Sequence, residues 1–353
     1  MTKVITIDPK DPQPDRILEA AQVVHQGGLI IFPTETVYGI AADCSNPKAM
    51  KRLREVKKRS EDKPFSIMIG QKELIRNYTP YAEPKLYRLI DHYWPGPLTV
   101  IVPATKKDAT IGIRIPDHPV ALKIVQNAHC TIAAPSANFE GNPAPTTCAE
   151  ALRDLDGLVD LAVDSGKVDI GTASTIVDFT KDTPTVIREG VITQAAVDAL
   201  VNKKQVLFVC TGNSCRSVMA EYLFREMIKN RPDIEITSAG TGVVFPTSAS
   251  YESVAVLKAR KIDASEHVSK PITNMLLKKA DLIFVMTRSH RSQVLERVPG
   301  VEHRVYLVGE FKSRPIRHDR DLDVPDPIGK SHVEYQACLE LIEDCLQKIK
   351  QLV

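Results

Sequence analysis

Apolar runs of three to six residues alternate with amphipathic stretches along the chain, and the pattern is clearest in the second half. Short apolar runs predict buried strands at 206–209, 234–237, 281–286 and 305–308. Amphipathic stretches predict helices from 217, over 251–261 and from about 333. Alternating strands and helices indicate an α/β fold with a parallel sheet, covered on both faces and binding its ligand at the carboxyl ends of the strands.

The pattern of the first half of the chain also predicts an α/β fold. A buried strand at 30–32 leads into a hydroxyl-rich turn. A last strand at 187–192 and a short helix at 193–201 precede a polar joint at 202–205. Because 353 residues exceed the usual single core, we expect two domains, 1–203 and 204–353.

Composition narrows the class of protein. With 43% hydrophobic and 25% charged residues the chain is typical of globular proteins, and a net charge of +2 does not favour general binding to nucleic acid or membranes. No apolar stretch approaches the roughly 20 residues that span a bilayer, and the N-terminus lacks a signal-peptide pattern. Seven cysteines without regular spacing fit a reducing compartment, so we expect a cytoplasmic protein without a membrane partner.

One short segment carries the strongest chemical signal. Cys210 ends a strand, Arg216 follows after five residues, and a helix begins there. In a strand–loop–helix arrangement, backbone N–H groups and the helix dipole converge on one anion, and the same field favours a thiolate. Gly212 lets the loop amides turn inward, while the Arg216 guanidinium can grip two phosphoryl oxygens. The segment predicts a phosphatase loop with Cys210 as nucleophile and no cofactor.

Phosphoryl transfer also needs a general acid for the leaving group. Asp326, on a Pro-rich loop, is our candidate, and Asp323 is a less favoured substitute. Asp319, Asp321 and Asp323 imitate the spacing of a calcium loop. However, the sixth and twelfth positions are Val324 and Lys330, so we predict no metal site.

The second half resembles the low-molecular-weight protein phosphatase family over about 150 residues. The likeness rests on C-x-G-N-x-C-R-S from Cys210, the M-A-E that follows, S-A-G-T at 238–241 and D-P at 326–327. It implies a flavodoxin-like domain with a four-stranded parallel sheet. It further implies that Cys210 forms a phosphocysteine, Arg216 clamps the phosphate, and Asp326 acts first as acid and then as base.

The same resemblance gives roles to the loop. Ser217 would stabilise the thiolate, Asn213 would hold the loop, and Cys215 could trap an oxidised Cys210 as a reversible disulfide. The phosphate loop then comprises Thr211, Gly212, Asn213, Ser214, Cys215 and Ser217.

Two positions bear on the substrate, which we expect to be a phosphoprotein. Tyrosine-directed members carry a branched aliphatic residue in place of Ser214 and an aromatic residue in place of Ile328. Ser214 instead resembles the threonine of the protein-arginine phosphatase branch, and a hydroxyl can meet a polar guanidinium. We therefore favour phosphoarginine and keep phosphotyrosine as the alternative.

The first half has clusters of its own. The segment 57–64 places four cations within seven residues, as a polyphosphate site would need. Arg114 stands between aliphatic neighbours, so its buried charge should have an anionic partner. Small polar turns occupy 134–138 and 141–143.

Residues 12–192 resemble the YrdC-type threonylcarbamoyl-AMP synthases. The shared motifs are P-T-E-T-V-Y-G from position 33, the K-x-R at 57–59 with its following K-P, W-P-G-P-L-T at 94–99, G-I-R-I-P, A-P-S-A-N, S-T-I-V-D at 174–178 and R-E-G at 188–190. The likeness implies a twisted α/β fold with a concave cleft. It implies the condensation of L-threonine, bicarbonate and ATP, with Mg²⁺, to threonylcarbamoyl-adenylate and pyrophosphate. That adenylate serves modification of adenosine 37 in tRNA, so tRNA or tRNA-modification proteins are expected partners.

By motif, the resemblance assigns two sets of residues. Those expected to bind ATP are Lys57, Arg59, Lys63, Ser136, Asn138, Asn142 and Arg188, and those expected to bind threonine are Thr34, Arg114 and Ser174. Two departures stand out: 65–69 lacks a histidine that some members carry, and the accessory domain of the long form is replaced by the phosphatase. We expect a bifunctional enzyme, the alternative being an RNA-binding or regulatory module in the first half.

Overall fold

The structure, a computed structural model, describes residues 1–60 and 63–353; Glu61 and Asp62 of the predicted cationic segment lie outside the described residues. It divides into two units. One comprises Met1–Tyr81 with Leu89–Leu200, and the other comprises Ala82–Arg88 with Val201–Val353. Among the described helices, none has the length and apolar character needed to cross a membrane.

Up to residue 201 the described chain forms ten strands and six helices. The strands are β1 Lys3–Thr6, β2 Ile30–Phe32, β3 Gly39–Asp43, β4 Ile67–Met68, β5 Leu98–Pro103, β6 Thr110–Arg114, β7 Ile132–Ala133, β8 Leu161–Asp164, β9 Thr175–Asp178 and β10 Thr185–Arg188. The helices are α1 Pro14–His25, α2 Pro47–Lys57, α3 Pro84–Tyr93, α4 Pro119–Asn127, α5 Cys148–Leu155 and α6 Gln194–Val201.

These ten strands form one mixed sheet in the order β1-β8-β2-β3-β7-β4-β6-β5-β9-β10. Both faces of its central part are buried: Ile30 and Phe32 of β2 pack in one apolar cluster with α1 and α4, while Leu29 and Ile31 pack in another with α2 and α5. Side chains of a strand alternate between faces, so a run of apolar residues fills two cores at once. This confirms the buried strand predicted at 30–32.

The predicted strand at 187–192 is wrong in its extent. Strand β10 ends at Arg188, and its register with β9 shifts between Val186 and Arg188. Beyond it, the backbone N–H groups of Gly190 and Ile192 both donate to the Thr175 hydroxyl at 3.0 Å. The chain therefore leaves the sheet because a side chain, rather than a neighbouring strand, satisfies its backbone.

The second unit has four described strands and five helices. The strands are β11 Lys204–Cys210, β12 Ile234–Gly240, β13 Leu282–Val285 and β14 Val305–Leu307. The helices are α7 Arg216–Met227, α8 Tyr251–Ala259, α9 Asn274–Lys279, α10 Arg288–Arg297 and α11 His332–Ile349. All pairings are parallel, in the order β12-β11-β13-β14, which confirms the predicted flavodoxin-like sheet.

This strand order places Cys210 in a binding position. The chain goes from β11 to β12 on one side and later to β13 on the other, so the connections diverge at the carboxyl end of β11. Ligands of open α/β sheets bind where such connections diverge. Cys210 is the last residue of β11, as the sequence predicted.

Candidate active sites

The predicted phosphate loop joins β11 to α7, and its first residue is a buried cysteine. The Cys210 Sγ lies 2.9 Å from the Ser217 hydroxyl and accepts the Asn213 backbone N–H at 3.3 Å. Only 3% of Cys210 is exposed. These contacts fix the position of the sulfur atom that the sequence predicts as the nucleophile.

Asn213 fixes the shape of this loop. Its backbone is left-handed, with φ of 49°, a conformation that asparagine tolerates better than most residues. Its fully buried carboxamide donates to Ser217 Oγ at 3.0 Å and to Ser238 Oγ at 2.7 Å, and accepts the Lys270 N–H at 2.9 Å. Ser238 in turn donates to the buried Glu221 carboxylate. A chain of polar contacts therefore connects the loop to Ser238 in β12 and Glu221 in α7.

The Arg216 guanidinium connects the loop to the predicted acid. It donates to the Val324 carbonyl at 3.2 Å and to Asp326 Oδ2 at 2.5 Å, and 4% of Arg216 is exposed. Its buried Nε has no hydrogen-bond partner among the described residues, so one strong donor remains available for an anion. The Asp326 side chain is 43% exposed, as a group that meets a substrate must be.

The other candidate acid, Asp323, is engaged elsewhere. Its Oδ1 accepts the backbone N–H of Arg288 at 2.8 Å, and its Oδ2 lies 3.2 Å from Arg288 Nη2. Asp323 therefore ties the acid loop to the start of α10. This geometry favours Asp326 over Asp323.

Several side chains that touch the loop were not predicted from the sequence, and His290 and Tyr335 are two of them. His290 bridges Thr211 Oγ1 and Thr287 Oγ1, each at 2.9 Å, and burial followed by the charge of Arg216 lowers its pKa to about 4. The Tyr335 hydroxyl lies 3.3 Å from Cys215 Sγ. No local pattern marked either residue, because each reaches the loop from a distant segment.

The resolving cysteine suggested by the resemblance is a free thiol in this structure. Cys215 donates to Ser250 Oγ at 3.2 Å. Ser214 is half-buried, and its hydroxyl lies 3.6 Å from Cys215 Sγ.

A second candidate site is a cleft of about 160 Å³ in the first unit. Seven predicted residues line it: Thr34, Lys57, Arg59, Arg114, Ser136, Ser174 and Arg188. The structure thus brings together residues that are up to 154 positions apart, from Thr34 to Arg188 (188 − 34 = 154). The other predicted residues, Lys63, Asn138 and Asn142, are not among the residues that line this cleft.

Arg114 has the anionic partner that its burial predicted. Its Nη2 donates to Glu35 Oε1 at 2.6 Å and to Thr36 Oγ1 at 2.7 Å. Both charged side chains are at least nine-tenths buried, and the second oxygen of Glu35 has no partner among the described residues. The sequence required an anion here but did not identify Glu35.

Arg188 brings a second guanidinium group close to that of Arg114. Arg188 donates from Nε to the Ser174 carbonyl and from Nη2 to its hydroxyl, both at 3.0 Å. Burial, and then the nearby charge of Arg114, lowers the pKa of Arg188. Two guanidinium groups, only one of them paired with a carboxylate by the contacts above, thus lie near each other, which makes this end of the cleft attractive to an anion.

Thr34 shapes the turn between β2 and β3. Its hydroxyl donates to the Val37 carbonyl at 2.6 Å and accepts the N–H groups of Thr36 and Val37, each at 3.2 Å. The hydroxyl-rich turn expected from the sequence is therefore an internally bonded wall of the cleft.

The Lys57 ammonium is turned inward. It donates to the Ser136 carbonyl at 2.7 Å, to the Asn138 carbonyl at 2.5 Å and to Asn138 Oδ1 at 3.2 Å. These contacts use all three of its protons. Burial, and then the charge of Arg59, lowers the pKa of Lys57 to about 8. Lys57 thus holds the wall formed by 136–138.

The side chains of Lys63 and Asn142 each pair with an acidic residue. Lys63 Nζ lies 2.7 Å from Glu140 Oε1, and Asn142 Nδ2 donates to Asp154 Oδ2 at 2.9 Å. Arg59 donates to the Pro64 carbonyl at 3.0 Å. The cationic segment therefore contacts the 136–142 segment directly, through Lys57 and Lys63.

Comparison with known proteins follows this division. The Sua5_yciO_yrdC family model, described as telomere recombination, matches residues 22–190, and the low molecular weight phosphotyrosine protein phosphatase model matches residues 205–353. A threonylcarbamoyl-AMP synthase from Bacillus subtilis is 38% identical over 201 residues, which are 54% of this chain and 57% of that protein. This chain therefore spans little more than half of that relative.

Two further relatives are covered almost completely. A putative threonylcarbamoyl-AMP synthase from Mycobacterium tuberculosis is 34% identical, and the match covers 52% of this chain and 89% of that protein. The crystal structure of Escherichia coli YciO superposes with a TM-score of 0.50 and 27% identity, covering 54% of this chain and 97% of that one. The chain belongs to the Sua5, YciO and YrdC family through its first half, and its second half is a low molecular weight phosphatase domain.

Proposed function

We propose that this chain is a bifunctional enzyme, and that its second half is a cysteine-dependent protein phosphatase. The observation that carries this proposal is the convergence of Ser217 Oγ and the Asn213 N–H on Cys210 Sγ, beside an Arg216 whose Nε has no partner among the described residues. The Cys210 thiolate attacks phosphorus, and a P–S bond forms as the bond to the leaving group breaks. Asp326 protonates the leaving group, while Arg216 and the loop N–H groups stabilise the phosphoryl oxygens.

Hydrolysis completes the cycle. Asp326, now ionised, accepts a proton from water as the water oxygen attacks phosphorus. The P–S bond breaks, Cys210 returns as thiolate and inorganic phosphate leaves. Asp326 fits both steps because it is exposed to solvent yet held 2.5 Å from Arg216.

Phosphoarginine is the substrate we favour. The side chain of Ser214 is small and polar, with its hydroxyl 3.6 Å from Cys215 Sγ, whereas a branched aliphatic side chain would present only carbon to a guanidinium. Ile328, 62% exposed, is aliphatic, whereas the tyrosine-directed members that the second half resembles carry an aromatic residue at this position. Matched phosphoarginine and phosphotyrosine peptides test this, with Cys210→Ser as the inactive control. Preference for phosphoarginine that moves towards phosphotyrosine in Ser214→Ile supports the assignment, while preference for phosphotyrosine in the wild type overturns it.

For the first half we propose synthesis of threonylcarbamoyl-AMP from L-threonine, bicarbonate and ATP. The relatives named as threonylcarbamoyl-AMP synthases support this activity, and the paired guanidinium groups of the cleft support an anionic substrate. Arg114 and Ser174 would bind the threonine carboxylate, and Arg59 and Lys63 the phosphates of ATP. Catalysis would come from positioning and charge neutralisation rather than from a covalent nucleophile.

Mg²⁺ would arrive with ATP rather than occupy a site built by the protein. Among the described residues, no group of three or more histidine, cysteine, aspartate and glutamate side chains could hold a metal ion. Mg²⁺ commonly binds through substrate phosphates with few protein ligands, and it would offset their charge in the cleft.

The test is adenylate formation by the intact protein, followed as pyrophosphate release that depends on both threonine and bicarbonate. Arg59→Ala should abolish it and leave phosphatase activity intact, while Cys210→Ser should do the reverse. Loss of both activities in either variant would favour a regulatory first half. Binding of tRNA without adenylate formation would favour the RNA-binding alternative; otherwise tRNA-modification proteins are the expected recipients of the adenylate.

A further inference from the structure

A carboxylate already lies against the cations expected to bind the phosphates of ATP. Glu140 Oε1 is 2.7 Å from Lys63 Nζ. The bond to Lys63, together with the charges of Lys63, Arg59 and Lys57, lowers the pKa of Glu140, so it is ionised at neutral pH. The side chains of Lys63 and Glu140 are 54% and 39% exposed, so water or a ligand can separate them.

The backbone beneath Glu140 is held more firmly than its carboxylate. The Glu140 N–H donates to the Lys57 carbonyl at 3.3 Å, and the Phe139 N–H donates to Asp154 Oδ2 at 2.9 Å. Lys58 Nζ lies 4.2 Å from the centre of the Phe139 ring. The backbone therefore keeps Glu140 beside the cationic segment, while its flexible side chain can swing away from Lys63.

We propose that Glu140 competes with polyphosphate for Lys63. In the free protein its carboxylate holds the position that the distal phosphates of ATP would take, and it returns to Lys63 as pyrophosphate leaves. This inference rests on the proposed synthase function. Glu140 would then lower the affinity for ATP and pyrophosphate. It would affect AMP less, because AMP lacks the phosphates that reach Lys63.

The experiment measures binding of pyrophosphate and AMP to the intact protein by titration calorimetry in excess Mg²⁺. Glu140→Gln removes the charge and keeps the shape, and should tighten pyrophosphate binding about two- to fivefold, the range expected for an exposed ion pair. AMP binding should stay unchanged. The matched control is Glu19→Gln, because the Lys3–Glu19 pair is 2.5 Å apart and similarly exposed, at 64% and 37%, but lies outside the cleft.

Unchanged or weaker pyrophosphate binding in Glu140→Gln would overturn the inference, and weaker binding would make Glu140 a contributor to the site. In a Lys63→Met background the effect of Glu140→Gln should disappear, and its persistence would also count against the proposal. Adenylate formation is measured on the same preparations. If the wild type makes adenylate but Glu140→Gln does not bind pyrophosphate more tightly, only the Glu140 inference is wrong. If the wild type binds pyrophosphate but makes no adenylate, only the proposed synthase function is wrong.

Discussion

Replacing Gly240 with alanine should disable the phosphatase by displacing its loop. Gly240 ends β12 directly beside the start of the phosphate loop. A Cβ there would lie 2.4 Å from the Thr211 carbonyl oxygen and 2.9 Å from the Asn213 backbone nitrogen. Ordinary contacts of a Cβ are about 3.4 Å or longer, so loop and strand must separate by about 1 Å. Both atoms belong to backbone, so no side-chain rotation can relieve the contact.

The magnitude follows from that displacement. A shift of about 1 Å at a reacting centre costs about 100-fold in rate, and overpacking costs about 1–3 kcal/mol of stability. We therefore expect kcat/KM for p-nitrophenyl phosphate to fall about 100-fold in Gly240→Ala. Gly242→Ala is the matched control, because its Cβ would lie 3.3 Å from Thr211 Cγ2 and 3.7 Å from the Thr211 carbonyl oxygen. A circular dichroism melt of each variant shows whether it is folded.

The reasoning fails if Gly240→Ala keeps activity within threefold of the wild type. It also fails if Gly242→Ala loses as much activity as Gly240→Ala, because the loss would then reflect any methyl group near the loop rather than the close backbone approach. Adenylate formation by the same preparations should be unchanged in both variants.

Three further outcomes are expected. Asp326→Asn should lower kcat about 10²–10⁴-fold for aryl phosphates with poor leaving groups. Asp323→Asn should change kcat less than about threefold, since Asp323 is bound to the start of α10. Equal losses of kcat in steady-state assays of the two variants would contradict these roles. Glu35→Gln should leave the buried charge of Arg114 uncompensated and cost about 3–5 kcal/mol in chemical denaturation, and a loss below 1 kcal/mol would be incompatible with that. Adenylate formation should fall above about pH 8 as Lys57, whose pKa is lowered to about 8, loses the proton with which it holds its carbonyl partners. In Lys57→Arg, which stays charged, the alkaline fall in a normalised pH–rate profile should move up by at least about one unit; an unmoved profile would exclude Lys57 as its source.

The phosphate loop could be predicted because its chemistry is local. Cys210 and Arg216 lie in one segment between a strand and a helix, and their spacing alone indicates an anion site. The outer contacts could not be predicted. His290 and Tyr335 reach the loop across 79 and 120 positions, and only the packed sheet and helices bring them there.

Many of the residues that line the cleft of the first half could be predicted from the sequence, but fewer of their contacts could. Burial of Arg114 demanded an anion, but 79 positions separate it from Glu35, so spacing could not identify the partner. For Lys57 the motif suggested a phosphate ligand, whereas its ammonium contacts the carbonyls of Ser136 and Asn138. A lysine head sits on four flexible methylenes, so sequence does not determine which way it turns.

The two sites hold their cations in different ways, and this difference sets the sign of their responses to mutation. In the phosphate loop, Arg216 holds Asp326 through Nη2, but its buried Nε has no partner among the described residues, so a phosphate can gain that contact without displacing one. In the first half, Lys63 already holds Glu140, so a polyphosphate must replace an internal partner. Removing a donor of the first site, such as the Arg216 guanidinium, should weaken anion binding. Removing the Glu140 carboxylate from the second site should strengthen anion binding. The opposite sign of this effect distinguishes a site whose donor is open to an anion from a site in which the anion must replace an internal carboxylate.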